Sequence, residues 1–334
     1  MRFSTVASIG LMASAASAVP HRKIRRDNGP LNVVYWGQNG GSAVENNDMS
    51  SYCTGQSGID VIVLSFLDVY GNGQMIPSGS FGQSCSVSSS GEGQGCESIG
   101  SAITTCQNAG VKVLVSLGGA AGSYSLASQA EAETIGANLW SAYGGGGNGS
   151  VPRPFGNAAV DGWDFDIEVA TGNEYYQYLI STLRSKFTQD SSKTYLISGA
   201  PQCPIPEPNM QAIITTSQFD YLWVQFYNNP GCSMPAPNFS AWVANVANTP
   251  SSRAKIFLGV PASADAATGT ASGAQYYVDP TALATVVSSI GANSTSSGFG
   301  GIMMWDAGFS DGNMEGACTY AQQAKSILTT GAPC

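Results

Sequence analysis

Asp161-Gly162-Trp163-Asp164-Phe165-Asp166-Ile167-Glu168 alternates carboxylates with apolar side chains, and Val160 before it and Val169 after it extend the apolar set. Alternation at period two is the pattern of a β-strand with two unlike faces. Over 160–169, Asp164, Asp166 and Glu168 then project from one face, and Trp163, Phe165, Ile167 and Val169 from the other. At a rise of roughly 3.3 Å per residue, successive acids stand about 7 Å apart. An edge strand with one solvated face would alternate in the same way. However, the chain is otherwise sparing with charge, at 10% Asp, Glu, Lys and Arg. Three acids aligned among bulky apolar residues fit a site where carboxyl groups share protons.

Outward from this strand the sequence repeats one grammar. Apolar, β-branched runs occur at 31–36, 59–67, 111–117, 160–169, 194–200, 219–227, 255–260 and 300–305. Near-continuous runs such as Val61-Ile62-Val63-Leu64 suit strands of a parallel sheet, buried on both faces. Helical segments are predicted between them, at 98–109, 127–143, 173–187, 208–216, 239–248, 280–290 and 314–328, with 46–52 the weakest. Pro280 after Asp279 marks a helix start, and Gly110 after Ala109 a stop. Eight strands alternating with helices predict a single-domain (β/α)8 barrel. An open doubly wound sheet is the alternative, but no G-x-G-x-x-G follows the first strand, and Gly71-Asn72-Gly73 and Gly91-Glu92-Gly93 fall in loops.

The N-terminus precedes this grammar. Arg2, an apolar run over 6–15 and Ala16-Ser17-Ala18 predict a secretory leader at 1–18, too short for a membrane span. The basic tract 19–26 reads as a pro-segment, leaving 27–334 as the catalytic domain; a plain basic tail is the alternative. Cutting after Arg26 removes five of the 13 basic residues and none of the 22 acids. So acidic a chain is not expected to bind nucleic acid. The one histidine, His21, leaves with the tract, which excludes Ser-His-Asp and Cys-His catalysis and histidine-ligated zinc. No metal and no cofactor are expected, and a monomer is the default. Eight cysteines behind a leader argue for disulfides, with 105 possible pairings. Sequons at Asn148, Asn238 and Asn293 fit a secreted, extracellular glycoprotein.

In a barrel, chemistry sits at the C-terminal strand ends. Those ends carry Tyr35-Trp36-Gly37-Gln38, Ser65-Phe66, Ser116-Leu117-Gly118-Gly119, the acid cluster, Gln225-Phe226-Tyr227-Asn228 and Met303-Met304-Trp305. Aromatic faces with directional amides around a ring suit a sugar polymer.

The acid stretch resembles the D-G-x-D-x-D-x-E signature of glycoside hydrolase family 18, the chitinases and their relatives, and it falls on the fourth strand, where that family carries it. Ser116-Leu117-Gly118-Gly119 resembles its S-x-G-G element. Tyr35-Trp36-Gly37-Gln38-Asn39, Gln225-Phe226-Tyr227-Asn228-Asn229 and Trp305 are similar to the class III, hevamine-like branch, over roughly 31–328. The resemblance implies an endochitinase acting on chitin and chitooligosaccharides by substrate-assisted retention, an exception to the two-carboxylate scheme. It implies Glu168 as general acid, Asp166 as partner of the substrate acetamido N–H, Asp164 behind Asp166 sharing a proton or hydrogen bond, and Tyr227 on the acetamido oxygen. Tyr35, Gln38, Phe66, Gly119, Gln225, Asn228 and Trp305 would bind substrate, with Asp161 structural. It also implies Cys53–Cys106, Cys85–Cys96 and Cys203–Cys232, leaving Cys318 with Cys334. About 40 residues between the last two strands leave no room for the α+β insertion of the bacterial-type branch, so a shallow groove is expected. A lectin or enzyme inhibitor on the same barrel, and an endo-β-N-acetylglucosaminidase acting on N-glycans, are the competing functions.

Overall fold

The computed structural model describes Met1 and residues 29–40, 45–147, 149–293 and 298–334. The predicted leader and pro-segment, apart from Met1, and Asn148 lie outside the described residues.

The chain opens with β1 (Leu31–Trp36) and β2 (Val61–Gly71), then an antiparallel extension of β3 (Gln74–Phe81), β4 (Cys85–Val87) and β5 (Gly93–Gln94). Next come α1 (Glu97–Ala109), β6 (Lys112–Gly118), short β7 (Ser123–Tyr124), α2 (Gln129–Tyr143), β8 (Gly162–Asp166) and α3 (Tyr176–Lys186). They are followed by β9 (Leu196–Gly199), α4 (Gln211–Thr216), β10 (Tyr221–Gln225), α5 (Phe239–Val246), β11 (Lys255–Pro261) and α6 (Pro280–Asn293). The last elements are β12 (Phe299–Trp305), α7 (Ala307–Gly312), a ribbon of β13 (Met314–Glu315) and β14 (Cys318–Thr319), and α8 (Tyr320–Thr330). Strands β1, β2, β6, β8, β9, β10, β11 and β12 pair in parallel in that cyclic order, and Val33 opposite Met303 closes the ring. The result is a (β/α)8 barrel.

Period-two alternation explains why the sheet closes with two cores. Leu31, Val33, Tyr35, Val61, Val63, Leu114, Trp223, Phe257 and Met303 point inward and fill the barrel. Their neighbours Val34, Trp36, Ile62, Leu64, Val113, Val115, Trp163, Phe165, Leu222 and Val224 point outward into the layer shared with the helices. On β8 the outward set is Trp163 and Phe165, so Asp164 and Asp166 face the lumen. At the strand entrance, Asp161 Oδ2 accepts the Val113 N–H and Gln107 Nε2, both at 2.9 Å, and Lys193 Nζ lies 3.3 Å from Oδ1.

Four features differ from the pattern read in the sequence. The acid strand is shorter than 160–169: its neighbours pair only as far as Gly118↔Asp166 and Phe165↔Gly199, so Glu168 lies beyond the ladder. The expected helix at 46–52 is a 3-10 turn, Met49–Cys53, capped by Asp48 Oδ1 on the Ser50 N–H. The predicted helix at 314–328 begins later. Gly316 (φ +64°) turns the β13–β14 ribbon, and Thr319 with Gln322 then forms a capping box that starts α8. Finally, β2 runs past the barrel into the β3–β5 extension through the turn at Asn72, another residue with positive φ (50°). Between β11 and β12 there is a 3-10 turn, Ala271–Tyr276, and α6, with no added α+β unit among the described residues.

Disulfides join Cys53–Cys106, Cys85–Cys96, Cys203–Cys232 and Cys318–Cys334. The last ties the end of the chain to β14 across a separation of 16 residues.

The barrel rim also buries an acid pair. Glu45 (2% exposed) accepts the Gly37 N–H at 3.1 Å, and Asp306 (1% exposed) caps α7 through the Phe309 N–H at 3.1 Å. Among the described residues, Glu45 Oε2 and Asp306 Oδ2 are buried with no hydrogen-bond partner. Burial, then the Asp306 charge, push Glu45 up to about 8, and burial pushes Asp306 up to about 6.

Two stability predictions follow from these contacts. A loop of this length held by a disulfide contributes about 3 kcal/mol. Replacing Cys318 and Cys334 by serine is therefore expected to lower the calorimetric Tm by several degrees without loss of the barrel's circular dichroism. Glu45 binds its proton more tightly folded than unfolded, so the folded state holds an extra proton between about pH 4.5 and about pH 8. Stability falls as pH rises through that window. Tm measured from pH 5 to pH 8 should fall, and Glu45→Gln should flatten the upper part of the slope; an unchanged slope would refute the assignment.

Candidate active site

The centre of the site is Asp164, fully enclosed in the lumen. Its Oδ1 accepts Ser198 Oγ at 2.7 Å and Trp223 Nε1 at 2.9 Å, and its Oδ2 accepts Ser116 Oγ at 2.6 Å and the Tyr35 hydroxyl at 2.7 Å. The donors come from β9, β10, β6 and β1. Burial leaves the Asp164 pKa raised, and these four hydrogen bonds, each of which favours the ionised form, pull it back. Asp164 bonds this shell rather than Asp166, so its coupling to Asp166 is through charge.

Asp166, one turn of the pleat further on, is also buried and accepts Gln225 Nε2 on Oδ1 at 3.1 Å. Burial, then the charges of Glu168, Asp164 and Glu207, hold its pKa well above the carboxylate range. Glu168 stands at the mouth. Its N–H donates to the Tyr124 hydroxyl at 3.0 Å, and that hydroxyl in turn donates to the Gly119 carbonyl at 2.6 Å. Burial and then Glu207 raise the Glu168 pKa, while a hydrogen bond from Gln225 pulls it back. Asp166 and Glu168 therefore both hold a proton more firmly than a free carboxyl does. Tyr227, past the end of β10, faces the same pair: burial, then Asp166 and Glu168, keep its phenol neutral.

Gly118 and Gly119 let β6 turn beside this group. At Gly118 (φ +108°) a Cβ would stand 2.1 Å from the Asp166 carbonyl, and at Gly119 (φ +93°) 2.9 Å from the Phe66 ring. Glycine is the residue that fits both places. The Gly119 N–H donates to that Asp166 carbonyl at 2.7 Å.

The sequence-predicted residues divide into three groups. Asp164, Asp166, Glu168, Tyr227, Gln225 and Gly119 come together. Phe66 and Trp305 stack at 5.9 Å and 15°, and Tyr35 lies 5.6 Å from Trp305, forming an aromatic wall beside the acids. Tyr35 is buried within that wall and serves Asp164. Gln38 and Asn228 are exposed and anchored by the backbone: Gln38 Nε2 donates to the Ser65 carbonyl at 2.9 Å, and Asn228 Nδ2 to the Ala267 carbonyl at 2.6 Å. Of the sequons, Asn238 has its Nδ2 donating to the Cys203 carbonyl at 3.0 Å, so the atom a glycan would take is engaged in the fold. The side chain of Asn293 lies outside the described residues.

Sequence reasoning missed Ser198, Trp223, Tyr124 and Glu207. Ser198 and Trp223 could have been found, because they are polar-bearing positions at the inward parity of otherwise apolar strands. Tyr124 and Glu207 sit in connecting segments where no periodicity marks them. Among the described residues, no group of three or more histidine, cysteine, aspartate or glutamate side chains is arranged to hold a metal ion.

The model of "Glycosyl hydrolases family 18" matches residues 32–296. Endochitinase 2 of Metarhizium robertsii is 57% identical over 340 residues, covering 98% of this chain and 80% of that protein. Among solved structures, a chitinase from Ipomoea carnea superposes with a TM-score of 0.71 at 30% identity, over 88% of this chain and 98% of the other. A xylanase and alpha-amylase inhibitor protein from Scadoxus multiflorus superposes at 0.68 and 33%, over 90% and 98%. With the acid-bearing strand, the barrel and these matches in agreement, the chain belongs to glycosyl hydrolases family 18.

Proposed function

We propose that the protein is a secreted endochitinase that cleaves β-1,4 links between N-acetylglucosamine units by a substrate-assisted, retaining path. The observation that carries this is the buried Asp166 and half-buried Glu168 facing Tyr227, with Asp164 held behind them by four hydrogen-bond donors. Glu168, at the mouth, gives its proton to the glycosidic oxygen as the bond to the anomeric carbon breaks. The carbonyl oxygen of the sugar's own acetamido group closes on that carbon, and an oxazolinium forms. Asp166 accepts the acetamido N–H and stabilises the positive charge; the Tyr227 hydroxyl donates to the acetamido oxygen and aligns it for attack. Water, deprotonated by Glu168, then opens the ring from the face the leaving group vacated. Two displacements at one carbon retain the β configuration.

The aromatic wall of Trp305 and Phe66 offers a flat apolar face for a pyranose ring, with Tyr35 packed behind it. The short segment between β11 and β12 supports an open groove and attack within a chain. Four disulfides suit an oxidising compartment, in keeping with a leader at 1–18, a pro-segment at 19–26 and a catalytic domain at 27–334 acting as a monomer. The superposition on an inhibitor protein favours one rival, a non-hydrolytic binder on the same barrel.

Purified protein and its Glu168→Gln variant, given the hexasaccharide of N-acetylglucosamine, separate these functions. The wild type should release internal-cleavage products in the β-anomer, and the variant should lose about 100-fold or more in kcat. Binding without cleavage by the wild type would establish the rival, and α-anomer at first release would refute retention. Tyr227→Phe should lower kcat on the order of 10- to 1,000-fold, with binding largely kept. Disaccharide alone, released from one chain end, would contradict the open groove.

A further inference from the structure

Glu207 lies outside the acid motif, in the connection from β9 to α4, yet it is only 3% exposed. Its Oε1 accepts the Gln202 N–H at 3.1 Å; its Oε2 accepts the Asn209 N–H at 2.7 Å and the Met210 N–H. Burial raises the Glu207 pKa, and these backbone donors, which favour the charged form, oppose the rise. One oxygen thus holds the end of β9, and the other holds the turn into α4.

The β9 side of this grip leads to the chemistry. Gln202 bridges to Gln225 in parallel register, and the Gln225 N–H donates to the Pro201 carbonyl at 2.8 Å. The Gln225 side chain is anchored by the Ala200 carbonyl at 2.9 Å and reaches Asp166 at 3.1 Å, with Glu168 as a further partner. From the α4 side, Asn173, in the segment after Glu168, donates to the Asn209 and Val169 carbonyls, which ties the two rims together. A buried anion at this point does more than close a turn.

We propose that Glu207 is a positioning residue for the reaction: through the Gln202 backbone it fixes the Gln225 amide that serves Asp166 and Glu168, and it sets a fixed negative charge beside them. The role rests on Glu168 being the proton donor. The groups facing Glu168 are Asp166 from β8, Glu207 from the β9–α4 connection, Tyr227 beyond β10, Tyr124 at the end of β7 and the uncharged Gln225. The two phenols stay neutral and Asp166 holds its proton firmly, so Glu207 supplies the anionic field on Glu168. A nearby negative charge makes Glu168 hold its proton to higher pH. Removing the Glu207 charge makes Glu168 lose its proton earlier, and the alkaline limb of kcat/KM then moves to lower pH.

The test measures pH–rate profiles on chitin hexasaccharide for the wild type, Glu168→Gln, Glu207→Gln, Glu207→Asp, Gln225→Ala and the double variant Glu207→Gln/Gln225→Ala, with Tm recorded for each. Glu207→Gln should lose on the order of tenfold in kcat with KM little changed, and its alkaline limb should move to lower pH. Glu207→Asp keeps the charge and should keep the limb in place. In the Gln225→Ala background the Glu207 substitution should cost little further kcat at the optimum, because the route through Gln225 is already cut. Glu207→Ala sets no amide against the Asn209 and Met210 N–H groups and replaces Glu207→Gln if that variant does not fold. A Glu207→Gln profile that superposes on the wild type, with only Tm lowered, overturns the proposal while an active wild type and an inactive Glu168→Gln leave the proton-donor assignment standing. An inactive wild type or an active Glu168→Gln overturns that assignment first.

Discussion

One buried carboxylate organises the lumen. Asp164 draws donors from four strands, Tyr35 on β1, Ser116 on β6, Ser198 on β9 and Trp223 on β10, to a single point between the sheet's inner faces. Taking a charge out of water is costly, and only a full set of donors offsets that cost. Loss of one donor leaves an acceptor unsatisfied, at about 1–3 kcal/mol. The register of the whole barrel therefore has to be right at this level, because a one-residue slip in any of the four strands would turn its donor outward. Chemistry and fold share the same constraint.

The neighbouring acids depend on Asp164 as much as the strands do. Asp166 has fewer compensating donors and more surrounding charge, so it yields its ionisation to Asp164. Glu168, past the end of the ladder, is held by the Tyr124 hydroxyl on its backbone and keeps its side chain at the mouth. The graded environment, from saturated to sparse in donors, sets three chemically similar groups apart in how firmly each holds a proton. Among the described residues, no basic side chain contributes to the pKa of these three acids; the ion pairs of Asp161, Asp60 and Asp220 involve other carboxylates.

The barrel and its acids were legible because both are written in parity. Eight apolar runs announced the strands, and the same alternation placed Asp164 and Asp166 inward without further information. Glu168 shows the limit of that rule, since parity says which way a residue points and not where the ladder stops. Gln38 and Asn228, groove amides by their neighbours along the chain, each donate a side-chain N–H to a nearby backbone carbonyl. The β3–β5 extension escaped because polar residues alternate there without a continuous apolar run. Tyr124 and Glu207 act from connections, where contact partners are set by tertiary closure and leave no local signature.

Closure through β1 and β12 has a consequence for how the molecule comes to exist. The first strand made during synthesis has one of its two neighbours at the far end of the chain, Val33 waiting for Met303. Until β12 emerges, the growing sheet keeps two open edges and an uncovered lumen, the situation in which nascent chains recruit chaperones or associate with one another. The closing contact is then made far in sequence from the acid strand. A chain interrupted before Phe299 would carry every acid of the site and still lack the strand that closes the barrel around them.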